Sequence, residues 1–575
     1  MRGRPRLDGL EAVLLDMDGT LVDSDACVER AWATWAREYG IDVEAVLAVA
    51  HGNPAARTVE RFLPQLDEEA IATSAQRQLT LQYEDLSDVV AASGAHDLLD
   101  FLAESGLPWA VVTSADDRLA KARLEAAGIE PPLLLTIEDV RQGKPHPEGY
   151  LNAAARLGAD PASCLAVEDS EPGLAAGRAA GMSTAALRGL DGDLRLVDLG
   201  HLAHLLRRAR TTPWWRDAVG CRVHLPSWGG SEHDPAGADE RLEHLARLGV
   251  DAIWLSPFLR SPGHGHDIAT DPVVDPTFGD AALDGLLARA HGRGMRVIGD
   301  LVVDWRRPEP AERIDEIIGS WSARGLDGFR MVSDATGSRP ISGGRPASSG
   351  GVVADQHGHA GHQPDVRAMQ ERWRRIADGH GAFLVGDVTE SDPSALARLV
   401  EGERLHSSLW SGLAETGWDL ERIDAMLSAA AASPQLSLAQ GGHDGSKAAT
   451  RYGGGDLGRR RSLALHVVMA VLPGTMWLYQ DESATLRRLL MTRRRLAGRL
   501  AATDEAARVD LARGVTAYRR GGLWAVANLR DEPVPALNLP ARAVFDSDDP
   551  AITPERPRTG RVRLAPQQAL VLVES

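Results

Sequence analysis

Two periods alternate along the chain. In the first third, short runs that are apolar at nearly every position are separated by longer stretches of helical period. AVLLD (12–16), WAVVTS (109–114), LLLTI (133–137) and CLAVED (164–169) predict strands. Strands apolar on both faces belong to a parallel sheet covered by helices. Each run ends in polar residues, and ligands of open α/β sheets bind at those C-terminal ends. Between the first two strands, residues 25–90 carry only helical periodicity and read as an insert.

Beyond residue 213 the alternation resumes. CRVHLP, AIWLSP, RVIGDLVV, GFRMV, AFLVGD, HSSLW, QLSLAQ and TMWLYQ are eight strand-like runs with helical stretches between them. Eight such units predict a (β/α)8 barrel over 214–505, its site at the strands' C-terminal ends. LRRARTTP, 206–213, reads as a linker. GVTAYRR, LWAVANLR and ALVLVES predict a small β-sandwich over 506–575, without evident chemistry. The expected organisation is an α/β unit over 1–205 (core 1–24 and 91–205, helical insert 25–90), linker, barrel and sandwich.

Composition narrows the function. At 575 residues, with 43% hydrophobic and 25% charged residues, the chain reads as a soluble multidomain protein. A net charge of −18 argues against a nucleic-acid partner. The apolar stretch LALHVVMAVLPGTMWLY is broken by His466 and Pro473, so no membrane span is expected. The basic N-terminus lacks a long apolar run, which points to a cytoplasmic protein. Cys27, Cys164 and Cys221 are too dispersed for a disulfide framework or a zinc site. Of 63 basic residues only Lys121, Lys144 and Lys447 are lysine, so each stands against an arginine background.

The polar residues at the first sheet's strand ends form a coherent set. They are Asp16, Asp18, Gly19 and Thr20; Thr113 and Ser114; Lys144; and Glu168, Asp169 and Ser170. Crowded carboxylates need a cation, and oxygen donors favour Mg²⁺. A lysine with hydroxyls supplies the charge and donors that a phosphate needs. Taken singly, Asp18-Gly19 reads as a turn and Asp169-Ser170 as a helix N-cap.

DMDGT, TS, GKP and VEDS, in this order and spacing, resemble the four motifs of the haloacid dehalogenase (HAD) phosphatases over about the first 190 residues. The resemblance implies a Rossmann-like core and a phosphoric monoester hydrolase. It implies Asp16 as nucleophile, forming an aspartyl-phosphate, and Asp18 as general acid and then base. Ser114, with Thr113 beside it, and Lys144 would hold the phosphoryl oxygens. Mg²⁺ would sit on Asp16, the Asp18 carbonyl and Asp169, with Glu168 close by. The 25–90 insert resembles the family's cap. Its His51-Gly52-Asn53-Pro54 and Arg57 resemble the substrate-facing loop of glycerol-phosphate and sugar-phosphate phosphatases, though His51 also reads as a loop-packing residue. A small phosphorylated sugar or polyol is the substrate implied. A phosphoglucomutase would share the four motifs.

The middle segment resembles the α-amylase superfamily, in its α-glucosidase and trehalose synthase branch. RLEHLARLGVDAIWLSPFLRSP, VDPTFGD, GLDGFR, FLVGD and LPGTMWLYQDE carry the likeness. The family's retaining hydrolysis needs two carboxyl groups about 5–5.5 Å apart. Where its nucleophile belongs, two residues after Arg330, this chain has Val332. Asp387 stands where the family has glutamate, its carboxyl retracted by roughly 1.5 Å. Asp267, Asp300, His443 and Asp444 remain, while Trp305 and His266 replace family residues. The expectation is a barrel that has lost turnover. The competing expectations are an active α-glucoside-processing enzyme, with Asp334 in the nucleophile's role, or a scaffold that binds an α-glucoside. His357, His359 and His362 read as a solvated loop. Trp214, Trp228, Trp254 and Trp477 read as core rather than glycan platforms.

Overall fold

The computed structural model describes residues 7–50, 55–210, 213–224, 235–256, 280–303, 311–333, 364–388, 400–410, 413, 416–440, 448–479, 483–554 and 556–574. It divides into two units, Met1–Arg210 and Thr211–Ser575.

In the first unit, β1 (Ala12–Leu15) is buried at every position. Alternate side chains leave a strand on opposite faces. Val13 and Leu15 join one apolar cluster with Leu98 and Phe101, and Ala12 and Leu14 join another with Tyr150 and Ala166. A strand covered on both sides sits mid-sheet. The chain then forms β2 (Val22–Asp23), α1 (Asp25–Glu38), α2 (Val43–Ala50), α3 (Ala55–Phe62), α4 (Glu68–Glu84) and β3 (Val90–Ala91). α5 (Ala95–Ser105), β4 (Trp109–Val112), α6 (Asp117–Ala126), β5 (Leu134–Leu135) and α7 (Glu148–Leu157) follow. β6 (Cys164–Glu168), α8 (Glu171–Ala179), β7 (Ser183–Ala186), β8 (Leu194–Arg195) and α9 (Leu199–Arg210) complete the unit.

The sheet order is β5-β4-β1-β6-β7-β8, all parallel. The chain leaves β1 toward β4 and later returns to its other side at β6. The ends of these three strands therefore bound one crevice, at the reversal of strand order. Helices α1–α4 stand over it with their own core of Trp32, Trp35, Val46, Val59 and Leu81. The Trp35 indole donates to Ser74 Oγ at 2.9 Å, which satisfies its one polar atom. The chain enters and leaves this helical cap through the antiparallel pair β2–β3.

One expectation is corrected here. The Arg-rich run read as a linker begins inside a helix: α9 extends to Arg210, with Leu202 and Leu206 buried in the core. Arg207 donates to the Asp97 carbonyl of α5 at 3.2 Å. The arginines are the polar face of an amphipathic helix, and charge content hid the leucine stripe.

In the second unit, eight parallel strands close a barrel: β9 (Val219–His224), β10 (Ala252–Ser256), β11 (Arg296–Val303), β12 (Gly328–Ser333), β13 (Phe383–Val388), β14 (Ser407–Trp410), β15 (Leu436–Ala439) and β16 (Met476–Tyr479). Trp254, Trp477, Phe383 and Val385 pack inside it, and Trp214 lies against them. Trp254 and Trp477 are core residues, and Trp214 is half-buried. C-terminal to the barrel, β17 (Ala507–Arg508), β18 (Thr516–Arg520), β19 (Leu523–Ala527), β21 (Arg542–Asp546) and β23 (Ala569–Val573) form an antiparallel sheet. Between them in sequence, β20 (Leu537–Asn538) and β22 (Arg561–Val562) form a separate pair. No helix among the described residues is long and apolar enough to cross a membrane.

Candidate active site

The crevice of the first sheet gathers its chemistry from strand ends. Asp16 follows β1 directly and is nearly buried. The turn after it needs Gly19, whose φ is +76°; a Cβ there would lie 2.1 Å from Asp169 Oδ2. Lys144 reaches in from the loop before α7. Its Nζ lies 2.5 Å from Asp16 Oδ1 and 2.6 Å from Glu168 Oε1, and it donates to the Val112 carbonyl at 2.8 Å. Burial alone would push this ammonium down, but Asp16 and Glu168 hold it above the ordinary lysine range.

Glu168 has 0% exposure, and its oxygens are fully engaged. Oε1 takes Lys144 and the Tyr150 hydroxyl, at 2.7 Å, and Oε2 takes the Ser170 hydroxyl at 3.0 Å. Gly173 of α8 leaves room for it: a Cβ there would fall about on the carboxylate, 1.9 Å from its carbon. Glu168 thus anchors Lys144. Asp169, one residue on, pairs with Arg188 Nε at 2.9 Å. Burial raises the Asp169 carboxyl to about 6, against the pull of Arg188. Asp16 is raised well above the carboxylate range by burial, more than Lys144 lowers it.

Carboxylate oxygens of Asp16, Glu168 and Asp169 lie within 4.8 Å of one another. Buried carboxylates held up in this way suit a hard cation that takes oxygen ligands. Asp16 and Asp169 fit such a role. Glu168, already shared among three donors, fits a neighbouring one.

Asp18 points elsewhere. Its Oδ1 accepts from Ser24 Oγ at 2.8 Å and pairs with Arg123 Nη1 at 2.6 Å. Its Oδ2 has no hydrogen bond from a described residue. Thr113 is buried and its Oγ1 accepts from the Ala115 amide at 3.1 Å, which shapes the turn that carries Ser114, itself exposed. Arg57 is exposed on α3. His51 lies outside the described residues.

Sequence reasoning missed Tyr150, Arg123, Arg188 and Ser24. Ser24, six residues after Asp18 and at the N-cap of α1, was the most accessible of these from spacing alone. The arginines had no distinguishing signal in a chain so rich in them.

At the barrel, Arg330 is 3% exposed. Its Nη1 donates to Asp300 Oδ1 at 2.8 Å, and its Nε and Nη2 both meet Asp387 Oδ2. The guanidinium lies 4.1 Å from the Trp254 ring, whose indole donates to Asp300 at 2.6 Å. Val332 is the register partner of Asp387 across β12 and β13. Asp267, His443, Asp444, Asp334, His266, Trp305, Trp228 and the three loop histidines lie outside the described residues.

Two family models match the chain: haloacid dehalogenase-like hydrolase over residues 10–181, and the catalytic domain of alpha amylase over 227–305. The N-terminal unit is similar to hexitol phosphatase A of Escherichia coli (strain K12), 38% identical over 200 residues, 35% of this chain and 93% of that protein. It is also similar to glycerol-1-phosphate phosphohydrolase 2 of Saccharomyces cerevisiae, 33% identical over 184 residues, 30% of this chain and 72% of that protein. The barrel matches a probable alpha-glucosidase of Rhizobium meliloti at 43% identity over 97 residues, 16% of this chain and 18% of that protein.

Proposed function

This chain belongs, through its first unit, to the haloacid dehalogenase-like hydrolases and is a phosphoric monoester hydrolase; on that footing we propose that it dephosphorylates a small sugar or polyol phosphate in a Mg²⁺-dependent reaction. The observation that carries the reading is the meeting of Asp16, Lys144 and Asp169 at the ends of separate strands and loops. The substrate class rests on the similarity to hexitol and glycerol-1-phosphate phosphatases.

In this mechanism Asp16 attacks phosphorus and becomes an aspartyl-phosphate while the bond to the sugar oxygen breaks. Asp18 gives its proton to the departing oxygen, then takes one from the water that opens the intermediate. Lys144, held by Glu168, and Ser114 neutralise and orient the phosphoryl oxygens. Thr113 fixes the turn that carries Ser114. Mg²⁺, on Asp16, Asp169 and the Asp18 carbonyl, would supply charge that offsets the crowded carboxylates and the incoming phosphate. His51 and Arg57 of the cap are proposed to meet the substrate's hydroxyls or a second anionic group.

A panel of hexitol, glycerol and hexose phosphates, assayed for released phosphate, tests the reading. Turnover with Mg²⁺ that disappears in EDTA and returns with added Mg²⁺ is expected. Turnover that persists in EDTA contradicts the metal assignment.

We propose further that the barrel does not hydrolyse glycosides. Arg330 engages Asp387, and Val332 offers no nucleophile beside it. The full-length protein is expected to release no glucose from maltose or trehalose; release that is lost on Asp387→Ala would overturn this.

A further inference from the structure

Arg123 has no place in the mechanism above, yet it is buried against the residue cast as general acid. It lies on α6 of the core and is 2% exposed. One terminal nitrogen meets Asp18 Oδ1 at 2.6 Å. The other donates to Gln82 Oε1 of the cap helix α4 at 2.5 Å. Gln82 is itself oriented, because its Nε2 donates to Gln78 at 2.8 Å. The Nε of Arg123 has no partner among the described residues. A buried guanidinium is costly unless its partners compensate it, and here they are the acid and a glutamine of the cap.

We propose that Arg123 is a positioning residue for Asp18, and that through Gln82 it ties the acid's orientation to the seat of the cap. The inference rests on Asp18 being the general acid. Arg123 and Ser24 both hold Oδ1, so the transferable proton belongs on Oδ2, which no described residue occupies. Arginine does not deprotonate, so it cannot compete for that proton. As Oδ2–H breaks and the sugar oxygen takes the proton, Asp18 becomes a carboxylate. The fixed charge beside Oδ1 stabilises the negative charge that appears there, an interaction stronger in the transition state than before it. Gln82 holds the far edge of the guanidinium, so a displaced cap would release Arg123 and misdirect the acid.

The test compares leaving groups in the full-length protein. An alkoxide leaves poorly without a proton, whereas p-nitrophenolate leaves without one. Arg123→Met is expected to lower kcat on a hexitol phosphate by about 10²-fold, the scale of general acid catalysis. It should change the pre-steady-state burst of p-nitrophenolate from p-nitrophenyl phosphate, which reports the first step alone, far less, and Arg123→Lys should recover part of the loss. Gln82→Leu should show the same leaving-group pattern in weaker form. In an Asp18→Asn background, Arg123→Met should add no further loss on the hexitol phosphate. Equal loss of hexitol phosphate turnover and of the p-nitrophenolate burst, or full activity of Arg123→Met alongside an inactive Asp18→Asn, overturns the role of Arg123. Full hexitol phosphate turnover by Asp18→Asn instead overturns the assignment of the acid on which it rests.

Discussion

Glu168 shows how the site is held at the scale of a residue. It is a carboxylate without exposure, and its charge is offset by Lys144, Tyr150 and Ser170. The space it occupies exists because residue 173 has no side chain. Gly173→Ala would put a methyl group on the carboxylate, and helix backbone cannot yield as a flexible side chain can. Glu168 must then move, and Lys144 with it. A displacement near 1 Å at such a site can cost about 10²-fold in rate. Phosphate release should fall by that order while helical circular dichroism stays unchanged. Tyr150→Phe removes one donor and leaves the others, so about 1–2 kcal/mol lower stability is expected by denaturant unfolding. Lys144 was legible in the sequence because a lysine stands out in this chain and lies within a motif. Tyr150 was not, because an aromatic at helical spacing reads as core, and it is core except for its hydroxyl.

At the scale of elements, the apolar runs located the strands well, because buried parallel strands leave a continuous signal. β1, β4 and β6 fall inside the runs read from sequence. β7 and β8 carry little signal in the sequence: STAA is buried but built of small residues, and LR is a two-residue strand at the sheet edge. α9 was misread because its leucines are interleaved with arginines. In the barrel, β13 and β14 are joined by a histidine with a pH consequence. His406 Nδ1 accepts from the Leu384 amide at 3.0 Å, and Nε2 lies 2.9 Å from Asp378. Burial, then the nearby Arg374, lowers it to about 4 from the usual value near 6.5. A base whose folded value is lowered supports the fold above its unfolded value and loses that support as pH falls. The melting temperature of the Thr211–Ser575 unit should therefore drop between about pH 6.5 and 4. His406→Gln should flatten that dependence; an unchanged slope would refute the link.

At the scale of the whole molecule, the chain carries two units, Met1–Arg210 and Thr211–Ser575. In the first, Asp16, Lys144, Glu168 and Asp169 meet at the strand ends of one sheet. The second keeps a closed barrel and a C-terminal sheet joined by buried charge. Arg520 of β18 has 0% exposure and pairs with both oxygens of Asp217 just before β9, while its Nε donates to the Thr503 carbonyl at 2.8 Å. Arg520→Met would strand Asp217 and should cost about 3–5 kcal/mol of that unit's stability. Chemical denaturation of the full chain reads this as an earlier barrel transition. Legibility also differed by unit. The phosphatase motifs are contiguous, so order and spacing exposed them. The barrel's Arg330–Asp387 pair joins residues far apart in sequence, and only the parallel register brings them together. The proposed chemistry begins at Asp16. Asp16→Asn keeps the side chain's size and removes the nucleophile. The direct test is phosphate release from a hexitol phosphate with Mg²⁺, measured beside the melting curve. Loss of turnover with the first unit still folded is expected. Turnover retained by a folded Asp16→Asn protein would contradict it.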